Sequence, residues 1–593
     1  MLFRRLGEYF EKLETMSSRL LMVEVLTEMF KEAKASEISK IIYITQGVLA
    51  PPFEGIKFNL AEKIAEESIA IATGHSKEDV SKAYRKSGDM GITAMELQEK
   101  SRLKKMSNKE FTVSEFYDAM RKIAETSGAG SKDHKIKMLA NVIAASTPTE
   151  AKYAVKYPLD ELRMGVGDAT VMEALAAAFL GDRKLKEKLE VAYNLCSDLG
   201  SVGEEVAEHG IKGIESFKVS LFKPIRPALA ERLPTAEEII EKMGGSASVE
   251  QKYDGFRCQI HKKSNKVRIF SRRLEDTTEM FPDLRDAMVN EIRAEEIILD
   301  GEALAYNEKT QQFLPFQETI QRKRKHRVDE KALEMPLKLF AFDIMYLEGK
   351  NLMDEPYKKR RELLEKVTSA SDTIRPSTRI ITSSPKELEE FFQTSIENGL
   401  EGIVAKEQNG KYVAGARKFG WIKMKRSYKG ELEDTLDLVI IGYFLGKGQR
   451  SEFKFGGLLC AAYNEKRDMF ESVSRIGSGF SEAQMVELKR ALDKIIVKSR
   501  PARVDSIVEP DFWVIPKYVV TIKADEITKS PMHTCGKGLQ KDGTEAGYAL
   551  RFPRLVGNEA IRSDKSIEDA TTTEEVIEMY NQQRKVSIGK EQE

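Results

Sequence analysis

Lys252 stands in the run Glu250-Gln251-Lys252-Tyr253-Asp254-Gly255-Phe256-Arg257, near the middle of a 593-residue chain. An amine beside an acid and a glycine is a candidate nucleophile. Asp254 can orient it, and Gly255 lets a ligand's phosphates approach the backbone. The run follows a Gly244-Gly245-Ser246 turn. It precedes Cys258-Gln259-Ile260 and Val267-Arg268-Ile269-Phe270, whose pattern predicts strands. The same letters also describe a strand end with a surface lysine and an Asp-Gly turn. Alone, they decide little.

Other residues able to act on phosphate follow in order: Ser271-Arg272, Asp300-Gly301-Glu302, Phe342 at the end of a strand, Glu401-Gly402-Ile403-Val404-Ala405-Lys406, Arg417, and Trp421-Ile422-Lys423-Met424-Lys425. A lysine attacks phosphorus only without its proton, and free lysine titrates near a pKa of about 10.4. Neighbouring cations would disfavour its charge, and Lys423, Lys425, Arg272 and Arg257 are the candidates. The same cations would stabilise charge on phosphate oxygens in the transition state. Read singly, Phe342 is an ordinary core phenylalanine and Asp300-Gly301-Glu302 a turn.

Three regions must position these residues. Residues 1–220 read as helix: Leu6, Phe10 and Leu13 recur at helical spacing, as do Leu20, Val23, Leu26 and Phe30 after a Ser17-Ser18 cap. The loop Arg163-Met164-Gly165-Val166-Gly167-Asp168 either offers amides to a phosphate or simply connects helices. Phe222-Lys223-Pro224-Ile225-Arg226-Pro227 reads as an extended linker into an α+β domain, 221–428. Residues 429–593 read as a small β-barrel, with a helix over Ser481–Val497, a further helix over Thr573–Gln583 and a loose tail from Lys585.

Composition limits the class. Lys+Arg and Asp+Glu both total 95, so any basic surface is local, and Arg322-Lys323-Arg324-Lys325-His326-Arg327 is the first candidate. Such a run is more often a solvated face. Four scattered cysteines without a C-x-x-C pair argue against a zinc finger or a disulfide framework, and for a reducing cytoplasm. The first residues turn charged at once, and no apolar run reaches membrane-spanning length, so a soluble intracellular protein is expected.

In their order, the motifs resemble the nucleotidyltransferase motifs of ATP-dependent DNA ligases, RNA ligases and mRNA capping enzymes. The helical region, Lys223–Pro227, Phe316–Lys325, Arg551-Phe552-Pro553-Arg554-Leu555, Arg562–Lys565 and Glu568–Thr572 narrow this to the archaeal and eukaryotic replicative ATP-dependent DNA ligases. The resemblance covers essentially the whole chain. It implies a multidomain fold: an all-α DNA-binding domain (1–220), an α+β adenylation domain (221–428) and a C-terminal OB-fold β-barrel with a helical tail (429–593).

It also implies the site. Lys252 would be adenylylated, with Glu250 reading the adenine edge, Phe342 stacking on the base and Glu302 contacting the ribose. Arg257, Arg272, Arg417 and Lys423 would serve the nucleotide, and Arg551 and Arg554 the pyrophosphate. Glu302 and Glu401 would hold Mg²⁺. Nicked duplex DNA and ATP are the implied substrates, a sliding clamp the implied partner, and a monomer the implied state. Gln98–Leu103 is the nearest approach to a clamp-binding peptide, but it lacks paired aromatics. An RNA ligase or guanylyltransferase shares the lysine motif but not the helical region or the Arg-Phe-Pro-Arg ending. An NAD-dependent ligase would carry a four-cysteine zinc site. A catalytically dead nick-binding clamp would be expected to lose some of Lys252, Glu302, Glu401 and Lys423.

Overall fold

The computed structural model describes residues 1–590 apart from 17, 102, 104–109, 129, 163, 308–311, 314–321, 323–331, 333, 334, 399, 416, 426–434, 446–454, 525, 540–545 and 558. Helices from Phe3–Glu14 to Ile211–Glu215 share one apolar core, as the spacing of leucines and phenylalanines requires. Leu6, Phe10, Leu13, Val23, Leu26 and Phe30 are buried, whereas Leu20 is 57% exposed on the first turn of Arg19–Glu32. Ser18 caps that helix with extended backbone but no side-chain hydrogen bond. Reciprocal capping boxes occur instead at Thr112/Glu115 and Thr147/Glu150.

The Phe222–Pro227 linker is pinned to the next domain. Gln259 accepts from the Ile225 amide at 2.7 Å and donates to its carbonyl at 2.8 Å, while the Phe222 amide donates to His261 at 2.9 Å. Strands then dominate: β1 (Leu229–Arg232), β2 (Ala247–Lys252), β3 (Phe256–Lys263), β4 (Lys266–Ser271), β5 (Glu296–Asn307), β6 (Gln312–Phe313), β7 (Leu337–Leu347), β8 (Lys350–Asn351), β9 (Ile374–Pro376), β10 (Arg379–Thr382), β11 (Gly402–Glu407) and β12 (Arg417–Lys425). They form two sheets, β1-β12-β11-β2-β10 and β4-β3-β5-β7-β8, with β6 on β5 and β9 on β7. Each sheet has its own apolar core, packed against helices such as Tyr357–Thr368 and Pro385–Glu397. The expected boundary near 428 lies outside the described residues.

The C-terminal region is rich in strands. Thr435–Phe444 pairs with Gly457–Asn464, Phe512–Val514 and Val519–Lys523, and register shifts at Ile440/Gly442 and Cys460/Ala461 bend the sheet as a barrel needs. The inserted helix is Glu482–Asp493, capped by Ser481, and it stops short of the expected Val497 because Ile496–Val497 pairs as strand. The last helix runs Thr573–Lys590, past the expected Gln583, because no helix breaker precedes Gly589.

The three regions touch one another. Asp468 of the C-terminal region accepts from Arg503 at 2.5 Å, Tyr463 at 2.9 Å and Thr170 of the helical region at 3.2 Å, with Arg19 at 3.6 Å. Gly167 is held close to the Arg503 guanidinium: an added Cβ would lie 2.6 Å from its carbon. This glycine therefore makes room for an arginine from another region. Arg163, from the same loop, lies outside the described residues. Lys57 pairs with Glu275 at 2.9 Å, and Arg268 donates to the Phe53 carbonyl at 2.6 Å, joining the helical and central regions. Of the basic run, Arg322 is buried against Asp283 at 2.8 Å rather than solvated, and 323–327 are outside the described residues.

Candidate active site

Strand register assembles the site. Paired residues on adjacent antiparallel strands share a face, so β12-β11-β2 presents the rows Lys423–Val404–Glu250 and Lys425–Gly402–Lys252. Gly402 has φ +150°, and a Cβ there would lie 2.1 Å from the Met424 carbonyl. Only glycine lets the two lysine-bearing strands flank this position. Gly255 plays a different part from the one expected. Its Cβ would lie 2.3 Å from the Ala303 carbonyl, so it is β5 that needs the glycine there. On the facing sheet Asp300 pairs with Asp343 and Gly301 with Ala341, leaving Phe342 as the extra residue of a bulge. Phe342 is thus mid-strand, not at a strand end, and the bulge re-aims its ring.

Between the sheets lies a cleft of about 1070 Å³, room for a nucleotide. Lys252, Glu250, Arg257, Arg272, Glu302, Phe342, Glu401 and Lys423 all line it. The Arg417 side chain is outside the described residues. At one end Phe342 meets Trp421 edge-on, ring centres 5.7 Å apart. Arg257 is held by Asp300 at 2.7 Å and by the Ala228 carbonyl at 2.8 Å, with its guanidinium 5.3 Å from the centre of the Phe342 ring. Glu250 is buried and accepts from Ser377 at 2.7 Å and from Tyr357.

At the centre, Lys252 and Lys425 share the Glu401 carboxylate. Burial alone would raise the Glu401 carboxyl, but Lys252 and Lys425 outweigh it and hold the group well below the carboxylate range. Glu302 goes the other way: burial lifts it to about 7, reinforced by Asp254 and Glu401 and opposed by Lys252 and Arg257. Burial and Glu401 also raise Asp254.

At the other end the C-terminal region closes the cleft. Asp569 accepts from Arg272 at 3.0 and 3.2 Å, Glu575 pairs with Lys423 at 3.0 Å, and the Ser563 carbonyl accepts from Arg273 at 2.6 Å. The cations expected near Lys252 all line the cleft with it, but not as bare charges. Arg257, Arg272, Lys423 and Lys425 each have a carboxylate of their own or share one, because a cation removed from water needs a countercharge. Arg551 and Arg554 do not line the cleft: Arg551 is paired with Glu526 on its own hairpin at 3.3 Å. Arg562 lines it instead, held by Asp564 and Thr521.

Glu302, Glu401 and Asp254 give the cleft an all-oxygen acidic face, a donor set suited to a hard cation. Among the described residues no three His, Cys, Asp or Glu side chains converge as a ready-made metal cluster. Lys406 and Trp421 belong to the quoted motifs, and alternation along β11 and β12 could have singled them out. Tyr357, Arg361, Ser377 and Glu575 carry no local signal; Asp569 lies in the quoted Glu568–Thr572 motif, but nothing local pairs it with Arg272, 297 residues away.

Residues 227–425 match the family model for the ATP dependent DNA ligase domain, 2–176 that for the DNA ligase N terminus, and 451–565 that for the ATP dependent DNA ligase C terminal region. A "Probable DNA ligase" of Dictyoglomus turgidum is 46% identical over 588 residues, covering 99% of both chains. The "DNA ligase" of Saccharolobus solfataricus is 43% identical over 597 residues, covering 99% of this chain and 98% of that one. That of Hyperthermus butylicus is 44% identical over 597 residues, covering 98% and 97%.

Proposed function

Since the chain belongs to the ATP-dependent DNA ligase family, an enzyme that seals nicks in duplex DNA at the expense of ATP, we propose that Lys252 carries AMP through the reaction. The observation that supports this most is the position of its amine: in a nucleotide-sized cleft, between an aromatic end and a cationic end. In the first step the amine attacks the α-phosphate of ATP, the N–P bond forms, and pyrophosphate leaves. AMP then passes to the 5′-phosphate at a nick, and the 3′-hydroxyl displaces it to make the phosphodiester.

Phe342 stacks on the base, Glu250 takes its edge, and Glu302 takes the ribose. Lys423 and Arg272, with Arg257 and Arg417, serve the nucleotide. Glu401 holds the Lys252 amine, so reaching the attacking state requires that contact to loosen. Glu302 and Glu401 are the carboxylates that would hold a divalent cation, Mg²⁺ by its preference for oxygen, and it would supply Lewis-acid stabilisation of charge on the phosphate oxygens.

Arg272 and Lys423 cannot bind a triphosphate while Asp569 and Glu575 occupy them. Residues 562–575 must therefore withdraw, and the C-terminal region moves between steps. DNA would be held by the helical region (1–220), the adenylation domain (221–428) and the barrel (429–593) together, mainly through phosphates, so binding is sequence-independent and salt-sensitive. The protein acts as a monomer on chromosomal DNA in the cytoplasm, with a sliding clamp as partner. Gln98 donates to the Ser146 carbonyl at 2.9 Å inside the helical region, which counts against Gln98–Leu103 as the clamp contact.

Incubation with ATP labelled at the α-phosphate tests the reading. A protein–AMP adduct should form, and nicked DNA should discharge it with sealing. No adduct, or an adduct in Lys252→Ala, overturns it.

A further inference from the structure

The aromatic end of the cleft contains a charge that the nucleotide contacts just described leave unused. Lys406, on β11, has a side chain only 1% exposed. Its ammonium donates to the Phe342 carbonyl at 2.7 Å and pairs with Glu250 Oε1 at 3.2 Å. It also lies 4.2 Å from the ring centre of Trp421, 4.8 Å from Tyr357 and 4.9 Å from Phe342. One group thus ties together the bulged strand of the stacking ring, the ring that meets it edge-on, and the carboxylate at the base edge.

The hydrogen bonds of Glu250 can be counted. A carboxylate offers about four acceptor positions. Oε1 takes Tyr357 and Lys406, with Arg361 further off at 3.5 Å, and Oε2 takes Ser377. Among the described residues one position on Oε2 is left, and Glu250 lines the cleft. An ionised carboxylate with one open lone pair accepts a single N–H donor, such as the exocyclic amine of a 6-aminopurine. It repels the carbonyl oxygen of a 6-oxopurine.

We infer that Lys406 is a positioning residue for base selection: by countering and orienting Glu250 and fixing the Phe342 bulge, it makes the cleft accept 6-aminopurine and reject 6-oxopurine nucleotides. Without the ammonium, Glu250 keeps, among the described residues, Arg361 at 3.5 Å as its countercharge and loses the contact that ties it to the Phe342 strand. A carboxylate released from that position no longer holds its oxygen against a 6-oxo group. Loss of Lys406 should therefore relax selection in a stated direction, beyond weakening binding.

This inference rests on the reading that Lys252 is adenylylated, and the test separates the two. ATP and inosine triphosphate, both labelled at the α-phosphate, differ only around position 6 of the purine. Their rates of adduct formation at low nucleotide concentration would be compared in the wild type, Lys406→Met and Ser377→Ala. The melting temperature of each variant serves as the control for folding. Wild type should prefer ATP strongly, and Lys406→Met should narrow that preference by about tenfold or more. Ser377→Ala should narrow it by a smaller factor, and that variant decides the matter if Lys406→Met fails to fold. If the ATP-to-inosine preference is unchanged in the folded variant, with both nucleotides slowed by the same factor or neither slowed, the inference is overturned. If wild type takes no label from either nucleotide, the functional reading itself has failed.

Discussion

The two ends of the cleft are built differently. At the aromatic end, Lys406 and Glu250 are 1% and 2% exposed, and removing one partner of so buried a pair costs about 3–5 kcal/mol. That end is rigid before any ligand arrives. At the cationic end, Lys423 with Glu575 (21% and 12% exposed) and Arg272 with Asp569 (37% and 16%) keep contact with solvent. Their greater exposure makes them weaker than the Lys406–Glu250 pair, so a triphosphate can replace them more readily. The aromatic end is made by the adenylation domain alone. The cationic end is shared with the C-terminal region, which on the proposed function has to leave.

Substitutions should separate the ends. The largest effect falls between them: Lys252→Ala should abolish the AMP adduct, measured with α-labelled ATP, while the melting temperature moves little. Next, Phe342→Ala removes a stacking face worth about 1–3 kcal/mol, so calorimetry should find adenosine and ATP both weakened about 10- to 100-fold. Lys423→Met should weaken ATP by about 10-fold or more and leave adenosine within about twofold. A result in which both variants treat adenosine alike would erase the comparison.

The smallest effect depends on pH. The Glu302 carboxyl, raised to about 7 by burial, binds its proton more tightly in the folded chain than in the unfolded one. That stability is fully present below the ordinary carboxylate range and is lost as pH rises through 7. The melting temperature of wild type relative to Glu302→Gln should therefore fall by a few degrees between about pH 5 and pH 8.

What could be read from the chain follows the same division. The core of the helical region, the strand bearing Lys252 and the motif order were legible because each rests on local periodicity or on short motifs. Glu250 and Lys252, two apart on one strand, share a face as strand alternation requires. Phe342 read as a strand end because a bulge shifts its register relative to β5, and a one-residue insertion has no letter of its own. The cations named for Lys252 all line the cleft, but their countercharges were not legible: the carboxylates that claim Arg272 and Lys423 lie far along the chain, in a region whose docking no local pattern records. Arg551 and Arg554 matched a motif, yet neither lines the cleft in this closed arrangement: Arg551 ends one strand and pairs with Glu526, and Arg554 begins another beside Lys523.

The contrast between the ends comes down to one comparison. Asp569→Asn with Glu575→Gln frees Arg272 and Lys423 without touching the base end. Calorimetry with adenosine and with the non-cleavable analogue α,β-methylene-ATP should find the analogue bound about 3- to 10-fold tighter than by wild type, and adenosine unchanged within about twofold. Equal shifts for both ligands, or no shift for the analogue, would contradict the account.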